Sequence, residues 1–406
     1  MNEQNPSHSM SRRRLLGTAG GAGLAGLAAG GVAGQVLGRR GGLPLTSLGQ
    51  TAVPFHGRHQ AGITTPLQSY GHLAAFDLLP GAGRAAAAGL LRRWSQTAET
   101  MTAGQPPDND DQIALDAGPC SLTATFGFGH AFFVKVGLAA PAALVPMPPF
   151  PADALEPGRS DGDLWIQIGA DDPLVAFHAL RVLHRQAAGT ARLRWQMNGF
   201  NRAPGATPRP MTVRNLMGQI DGTNNPKATD PGFDAKIFVT GGSEAWMDAG
   251  SYAVVRRIRM LLDSWDQLPV NQQETVIGRR KSNGAPLSGG VETTLVDLTQ
   301  VHPDGSLAIP ADAHIRAAAA QSNGGATMLR RGFSYHDGYR PDGQPDAGLL
   351  FIAWQADPAT GFIQVQRKLD GADHLTRFIR HESSAIFAVP GGTRPGQYVG
   401  QQLLES

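Results

Sequence analysis

The sequence predicts an α+β protein built from two similar halves, each with strands and helices following one another along the chain. The first half alternates between the two-residue apolar period of a strand and the wider apolar spacing of a helix, and the second half repeats this mixture. A sheet covered by helices satisfies both patterns, because each helix then buries its apolar side against the sheet. The two halves are predicted to join near residues 205–220.

The individual elements follow from local spacing and from the residues that bound each run. Strands are predicted where short apolar runs end at Gly, Pro, Asn or Asp. Helices are predicted where apolar side chains share one face, as Leu90, Leu91 and Trp94 do. The predicted strands cover residues 73–79, 121–128, 164–168, 193–197, 251–260, 349–354 and 385–389. The predicted helices cover residues 85–100, 173–186, 264–281 and 369–379, and residues 141–157 form a Pro-rich connection.

Composition excludes several classes of protein. The chain has 406 residues and a formal net charge of +2 with scattered Lys and Arg, so no nucleic-acid groove and no nucleic-acid partner is predicted. Its one cysteine, Cys120, excludes an intramolecular disulfide and any multi-cysteine metal site. We expect Cys120 to be a small buried apolar residue.

The first forty residues are predicted to be an export signal rather than part of the fold. Ser11-Arg12-Arg13-Arg14-Leu15-Leu16 resembles the twin-arginine signal, and an uncharged Gly/Ala-rich run follows it. A membrane anchor is the alternative, but Gly and Ala contribute little transfer energy. The expected location is therefore the periplasm, the cell envelope or the extracellular space. Because this route exports folded proteins, it favours a bound cofactor.

Two stretches carry the residues best suited to chemistry. Residues 313–332 contain His314 with Arg316, Arg330 and Arg331 among small apolar residues. A neutral imidazole is a common ligand of metals, including haem iron, and guanidinium groups suit carboxylates and developing negative charge. About a hundred residues earlier, Asp221 lies on a glycine-flanked loop that can approach a ligand closely. One His, one Asp and one Arg could form a haem peroxidase site.

Several separated motifs, in order, resemble the dye-decolourising peroxidase family. Gly218-Gln219-Ile220-Asp221-Gly222 matches the family's G-x-x-D-G motif, with Gln219 where an aromatic residue is common. His314-Ile315-Arg316 and the segment 328–332 resemble the family's proximal histidine and distal arginine regions. Further similarity lies at residues 53–63, 223–226, 348–351, 361–362 and 387–391. The likeness spans roughly residues 50–395, and the exported, deferrochelatase-like branch is the most similar.

This resemblance implies two ferredoxin-like domains, with one haem b held by the second. The expected organisation is a signal segment at 1–40, a linker at 41–53, an N-terminal domain at 54–205 and a C-terminal haem domain at 206–406. The implied activity is reduction of hydrogen peroxide with oxidation of dyes, phenols or other one-electron donors. Release of iron from haem and a haem carrier without turnover are the alternatives. Iron-uptake partners and an oligomer are compatible with the sequence.

The resemblance also implies a role for each motif residue. His314 is expected as the axial iron ligand, with a carboxylate on its other ring nitrogen; Asp373 is preferred and Asp370 is the rival. Asp221 is expected on the opposite face, where it moves a proton between the peroxide oxygens, although a glycine-flanked Asp is by default a turn former. Such an Asp base predicts activity at acid pH.

Arg330 is expected to stabilise the charge that develops on oxygen, with its neighbour Arg331 as the rival. The remaining expected haem contacts, besides His314 and Arg330, are Gly222, Thr223, Asn224, Arg316, Gln321 and Phe351. Gln321 supplies no charge, so propionate binding is expected to depend on Arg316 or on Arg58.

Other conspicuous residues are predicted to be structural. Trp354, Tyr335 and Tyr339 are expected in the core, with electron relay to large substrates as the alternative. His56 and His59 are expected to serve the fold rather than to bind metal.

Overall fold

The structure is a computed structural model that describes residues 49–204, 206–207, 211–241 and 244–406. The predicted signal segment and most of the predicted linker lie outside the described residues. Residues 49–406 cluster as one compact unit. Within the described part of the chain, no helix combines the length and the apolar character needed to cross a membrane.

The described residues contain nine strands and nine α-helices. The strands are β1 (Tyr70–Leu78), β2 (Thr123–Gly129), β3 (Leu164–Ala170), β4 (Ala191–Phe200), β5 (Ser251–Met260), β6 (Leu329–Arg330), β7 (Phe333–Tyr339), β8 (Pro345–Gln355) and β9 (Ile379–Val389). The helices are α1 (Arg84–Thr102), α2 (His130–Val136), α3 (Pro173–Gln186), α4 (Phe233–Ile237), α5 (Leu262–Asp266), α6 (Val270–Ile277), α7 (His314–Ala318), α8 (Gln364–Ala372) and α9 (Gln401–Leu404). A 3₁₀ segment, His374–Phe378, follows α8.

Local sequence explains the two longest helices. The α3 helix has Pro173 at its first position, and Asp172 caps it by accepting hydrogen bonds from the backbone N–H groups of Leu174 and Val175 at 2.8 and 3.0 Å. Such a cap contributes about 1 kcal/mol. The Ala-rich α1 follows a glycine turn and buries Trp94, whose indole N–H donates to the Leu183 carbonyl of α3 at 2.8 Å. The two helices are therefore joined to each other as well as to the sheet.

Each half of the chain has the same strand order. The first half pairs in the order β4-β1-β3-β2, and the second half pairs in the order β7-β8-β5-β9, all antiparallel. Apart from the two-residue β6, the first and third strands of each half are central, which is the ferredoxin-like arrangement. The predicted fold class is confirmed.

The two four-stranded sheets join into a closed ring. Two pairs, Phe128 with Ala388 and Gly129 with Phe387, connect β2 to β9. On the other side Phe200 pairs with Ser334 and connects β4 to β7. The ring interior is filled mainly by aromatic and branched side chains, with the Trp165 ring stacked on Phe387 at 5.3 Å. A second, larger core lies between the outer face of the sheet and the helices.

The element predictions are mostly confirmed, with two corrections. The helix predicted over residues 264–281 is wrong as a single element, because the chain forms α5 and α6 with Pro269 between them. Proline cannot donate the backbone hydrogen bond that would continue α5. The helix predicted over 369–379 is displaced: α8 ends at Ala372, and the 3₁₀ segment leads into β9. Prediction missed α7 and the strands β6 and β7, which both pair with β8.

The structural roles predicted for other residues are confirmed with one exception. Cys120, Trp354 and Tyr335 are buried. Tyr339 is 72 % exposed, so its assignment to the core is wrong: it ends β7 beyond the ring interior.

The early histidines are used by the fold. The Nδ1 of His56 is hydrogen-bonded to the Thr393 hydroxyl at 2.8 Å. His59 is bonded to the Ala249 carbonyl and stacks on Phe238. Both contacts join the start of the described chain to segments of its second half.

Candidate functional site

A tight turn presents Asp221 at one side of the site. The side-chain oxygen of Asn215 accepts hydrogen bonds from the backbone N–H groups of Met217 and Gln219, and Gly218 adopts a positive φ of 78° to close the turn. The chain then returns, and the Asp221 N–H donates to the Val213 carbonyl at 2.9 Å. Asp221 is thus fixed by backbone hydrogen bonds, and its carboxylate remains available.

Gly222 lets the chain change direction immediately after Asp221. Its φ is 124°, a conformation that L side chains rarely adopt. The chain can therefore leave Asp221 sharply, and Asn225 closes the turn by donating its backbone N–H to the Gly222 carbonyl at 3.0 Å.

The side chains of the two neighbouring arginines, at the end of the short strand β6, point in different directions. The Arg330 Nη1 donates to Asp221 Oδ1 at 2.7 Å. Arg331 turns the other way, where its guanidinium is buried and donates to the Thr65 carbonyl and to Gln68 Oε1. Successive side chains of a strand point to opposite faces, so one position cannot take the place of the other. Arg330 is therefore the arginine that meets Asp221, as expected, and Arg331 holds the loop before β1.

The ion pair controls the protonation of Asp221. Burial by itself would raise the pKa of the carboxyl, but the charge of Arg330 and its hydrogen bond, a weaker bond from Asn215 and the charge of His314 together lower this pKa. Asp221 consequently stays ionised at pH values where an isolated Asp begins to take up a proton.

His314 begins α7 and is bonded to a buried carboxylate. The distance from His314 Nδ1 to Asp373 Oδ2 is 2.7 Å, and the Asp373 side chain is only 1 % exposed. Asp373 Oδ1 accepts from the Leu375 N–H at 2.9 Å, which fixes the orientation of the carboxylate. Burial lowers the pKa of His314, but the charge and hydrogen bond of Asp373 outweigh it and leave this pKa raised. Asp373, rather than Asp370, is the partner of His314.

Both ends of the His314 helix are tied to α8 and to the segment after it. Asn323 caps the carboxyl end of α7, since its amide donates to the carbonyls of Ala317 and Ala319 at 2.7 and 2.8 Å, and its own carbonyl accepts from Gln364 Nε2 of α8 at 2.6 Å. Before α7, the Asp312 carbonyl accepts from the His374 N–H at 2.9 Å. These contacts hold α7 against α8 and the segment after it on either side of the His314–Asp373 pair.

His314 and the Asp221–Arg330 pair lie close enough for their charges to interact. The negative charge of Asp221 raises the pKa of His314, and the positive charge of Arg330 lowers it. Because Nδ1 of His314 is bound to Asp373, its Nε2 is the nitrogen left for a ligand.

A cavity of about 300 Å³ opens on the Asp221 side of the site. Its wall combines the polar group of Asn215, Asp221 and Arg330 with apolar side chains such as Leu349 and Phe351. A wall of this kind binds a mostly apolar ligand and orients it with a few polar groups.

Comparison with known proteins agrees with this geometry. Residues 60–201 match the model of the Dyp-type peroxidase N-terminal domain, and residues 212–394 match that of the C-terminal domain. The dye-decolorizing peroxidase of Thermobifida fusca is 46% identical over 361 residues, which cover 85% of this chain and 84% of that protein. The chain belongs to the Dyp-type peroxidase family.

Other relatives share the fold, and some of their names refer to iron. The deferrochelatase of Escherichia coli K12 is 35% identical over 423 residues, with 99% of both chains covered. The crystal structure of a DyP-type peroxidase from Streptomyces coelicolor is 61% identical, has a TM-score of 0.89, and covers 90% of this chain and 100% of that one. Ferric DtpA from Streptomyces lividans is also 61% identical, with a TM-score of 0.88 and coverage of 90% and 100%. The chain is accordingly a haem peroxidase.

The residues of the site fit a haem. His314 offers one ring nitrogen while its other nitrogen is held by Asp373, the pattern by which proteins orient a metal-binding histidine. Its side chain is 30 % exposed, so the ring is not closed off from a ligand. We therefore expect His314 to hold the iron on one side and the Asp221–Arg330 pair to lie on the other.

The other expected haem contacts are dispersed around this centre. Phe351 lies on β8 and lines the cavity. The Arg316 Nε and Nη2 donate to the carbonyls of Ile309 and Pro310, which leaves Nη1 and the second N–H of Nη2 for a propionate without breaking these bonds. Arg58 is exposed and lies 3.8 Å from Asp234. Propionate binding by Arg316, Gln321 or Arg58 stays a prediction.

Thr223 and Asn224 differ in their surroundings. The Thr223 hydroxyl donates to Glu292 Oε1 at 2.9 Å, and the Thr212 hydroxyl donates to the same oxygen at 2.6 Å. Asn224 is exposed. Contact of either residue with haem stays a prediction.

Sequence reasoning missed two residues that organise the site. Glu292 joins the loop of Asp221 to the segment before α7, through the two threonine hydroxyls. Asn225 is bonded to the backbone of Arg330. Asn225 lies inside the motif extension, but its partner is 105 positions away, so spacing gave no signal for the contact.

Proposed function

We propose that this haem peroxidase uses Asp221 to move the peroxide proton and Arg330 to stabilise negative charge on the peroxide. The observation that supports this is the 2.7 Å contact between Arg330 Nη1 and Asp221 Oδ1, whose charges both act on His314. A structural ion pair would need no position near an imidazole whose second nitrogen is free. The pair combines a proton acceptor with a permanent cation, which are the two groups that peroxide cleavage requires.

Haem, when bound, supplies the iron that takes the peroxide and the electrons that break its O–O bond. His314 Nε2 would hold that iron, and Asp373 would keep the proton on Nδ1 so that Nε2 carries its lone pair. Asp221 accepts the proton of one peroxide oxygen and returns it to the other oxygen, which leaves as water. The permanent charge of Arg330 stabilises the anion between these two transfers.

The lowered pKa of Asp221 sets the pH range of this step. Only the ionised carboxylate can accept the proton, and its interaction with Arg330 preserves that form in acid. We therefore propose that the enzyme works at acid pH with dyes, phenols and other one-electron donors. Dyes too large to enter the site would donate electrons at the surface.

The test is peroxide-dependent dye oxidation by the haem-loaded enzyme, with Asp221→Asn beside wild type. We expect wild type to oxidise the dye and the variant to lose most of that rate while retaining haem. Asp230→Asn is the matched control, because Asp230 is exposed in the same segment and, among the described residues, its carboxylate accepts from the Lys227 N–H alone. Equal rates for wild type and Asp221→Asn would contradict the proposed role.

Iron release is the second candidate, supported by the similarity to deferrochelatases along 99% of both chains. Such a reaction leaves a metal-free porphyrin, which fluoresces, whereas peroxidase turnover leaves haem intact. Fluorescence of released porphyrin after incubation with haem would support this candidate, and intact haem with sustained dye oxidation would contradict it.

We also propose export by the twin-arginine route, on the strength of the segment Ser11-Arg12-Arg13-Arg14-Leu15-Leu16. Replacing Arg12 and Arg13 by Lys in the full chain is expected to retain the enzyme in the cytoplasm. Cell fractionation measures this, and unchanged export of the variant would refute the proposal.

A further inference from the structure

One side-chain amide joins the two halves of the proposed proton-transfer pair. The Asn225 Nδ2 donates to the Arg330 carbonyl at 2.7 Å, and the Asn225 Oδ1 accepts from the Arg330 N–H at 3.1 Å. Both functions of the amide are thus used on the backbone of a single residue. An amide bound in this way resists both translation and rotation of the peptide it holds.

Arg330 needs such support because its strand is short. The β6 strand has two residues, which pair with Trp354 and Ala353 of β8. A two-residue strand fixes its own direction weakly, and the direction of the backbone at Arg330 decides where its guanidinium lies. The amide of Asn225 supplies a second set of hydrogen bonds at the residue whose side chain must be aimed.

The same loop carries the partner of that guanidinium. Asn225 lies four residues after Asp221, in the turn closed by its own N–H to the Gly222 carbonyl at 3.0 Å. The other side of this loop is held by Thr223, whose hydroxyl donates to Glu292 at 2.9 Å. The loop that carries Asp221 is therefore held by the hydrogen bond of Thr223, and it binds the Arg330 backbone through Asn225.

We propose that Asn225 is a positioning residue, which sets the Arg330 guanidinium against the Asp221 carboxylate by gripping the Arg330 backbone. Its side chain acts through Arg330 and not on peroxide itself. This inference rests on the proposed function of the pair, and it adds the residue that keeps the two groups in register.

The decisive variant is Asn225→Asp, because its hydrogen bonding depends on pH. A protonated carboxyl has the shape of the amide: its O–H can donate to the Arg330 carbonyl while its other oxygen accepts from the Arg330 N–H. An ionised carboxylate cannot donate, and it places a negative oxygen against the carbonyl. Asn225→Ala lacks both bonds at every pH.

The measured quantity is the rate constant for reaction of the haem-loaded enzyme with peroxide, divided by the wild-type value at the same pH. At pH 7 we expect both variants to be slower by about tenfold or more. As the pH falls below about 4, the ordinary range of an Asp, the ratio for Asn225→Asp should recover while that for Asn225→Ala stays low. The charged groups of this region, Asp221, Arg330 and Glu292, are common to all three proteins, so the ratio isolates position 225.

A second readout does not depend on catalysis. Amide hydrogen exchange of the segment 326–334, measured on each variant at pH 7, should be faster than in wild type, because the Arg330 N–H loses its acceptor or its alignment. Asn271→Asp is the matched control: Asn271 is exposed on α6, and its change should alter neither the rate ratio nor the exchange.

Three outcomes are informative. Wild-type rates and exchange in Asn225→Ala would overturn the proposal. An Asn225→Asp ratio as low in acid as that of Asn225→Ala would also overturn it, since a general loss of packing does not respond to protonation. If Asp221→Asn proves as fast as wild type, the proposed function fails, whereas the exchange result still decides whether Asn225 holds Arg330.

Discussion

Replacing Asp373 by Asn tests the support of His314 without changing the shape of the side chain. In wild type one carboxylate oxygen takes the His314 Nδ1–H at 2.7 Å and the other takes the Leu375 N–H at 2.9 Å. An amide has one acceptor and one donor, so it cannot satisfy both. If the oxygen of this amide faced His314, the NH₂ group would face the Leu375 N–H, and two donors would meet. If the oxygen faced Leu375, the NH₂ group would donate to His314 Nδ1 and move the imidazole proton to Nε2, where the iron should bind.

The magnitude follows from the lost contact. A hydrogen bond between the imidazole N–H and a buried carboxylate contributes about 1.5–3 kcal/mol. Loss of a buried partner of a metal-binding histidine weakens metal binding by about 10–100-fold, which is about 1.4–2.7 kcal/mol. The two ranges overlap, so we expect Asp373→Asn to weaken haem binding by about 10–100-fold.

The assay is titration of the haem-free protein with haem, followed by the rate of haem transfer to a competing haem-binding protein. Asp370→Asn is the control: it lies on α8, where its carboxylate accepts from Gln366 at 2.9 Å and has no contact with His314. We expect this control to bind haem as wild type does. The reasoning is refuted if Asp373→Asn binds haem as tightly as wild type, or if Asp370→Asn has the larger effect.

Three further predictions concern the pair, its neighbour and the core. Asp221→Asn should slow the reaction with peroxide by about 10²–10⁴-fold at pH 7. Because the pKa of Asp221 is lowered, the wild-type rate should stay constant from neutral pH down to about 4 and fall only below it. Stopped-flow measurements of the rate at each pH test both expectations. Arg331→Lys should lower the free energy of unfolding by about 1–3 kcal/mol, since Lys cannot make both hydrogen bonds that Arg331 donates to Thr65 and Gln68. Urea unfolding measures this loss. The same variant should slow the reaction with peroxide less than Arg330→Lys does. Burial, reinforced by the Arg256 charge, lowers the pKa of His381 to about 3, so this imidazole destabilises the fold progressively as the pH falls from 6.5 towards 3; His381→Gln should lose about 2 kcal/mol less stability than wild type between pH 6.5 and pH 5.

The order of the motifs predicted the composition of the site through the family resemblance, and local chemistry explains the placement of Asp221 alone. Asp221 needs a turn that Asn215 and Gly218 close, and both residues lie within six positions of it. His314 and Arg330 were identified through the resemblance and not through spacing. Spacing alone left Arg330 and Arg331 equivalent, and only the pairing of β6 with β8 separates them.

Contacts between distant segments could not be predicted from the sequence. Closure of the ring depends on three residue pairs, such as Phe200 with Ser334, that no local pattern distinguishes from an open sheet. The grip of Asn225 on Arg330 spans 105 positions and uses a residue type common in turns. The displaced boundary of α8 has a local cause, since Asp373 leaves the helix and caps the next segment through the Leu375 N–H.

The most direct test of the central claim is the visible spectrum of the haem-loaded protein before and after peroxide, for wild type, His314→Ala and Asp221→Asn. If His314 holds the iron and Asp221 moves the proton, wild type changes its spectrum quickly with peroxide. His314→Ala should lose the wild-type haem spectrum, and Asp221→Asn should keep it but change slowly. A wild-type haem spectrum in His314→Ala, or a full-speed change in Asp221→Asn, would contradict the account.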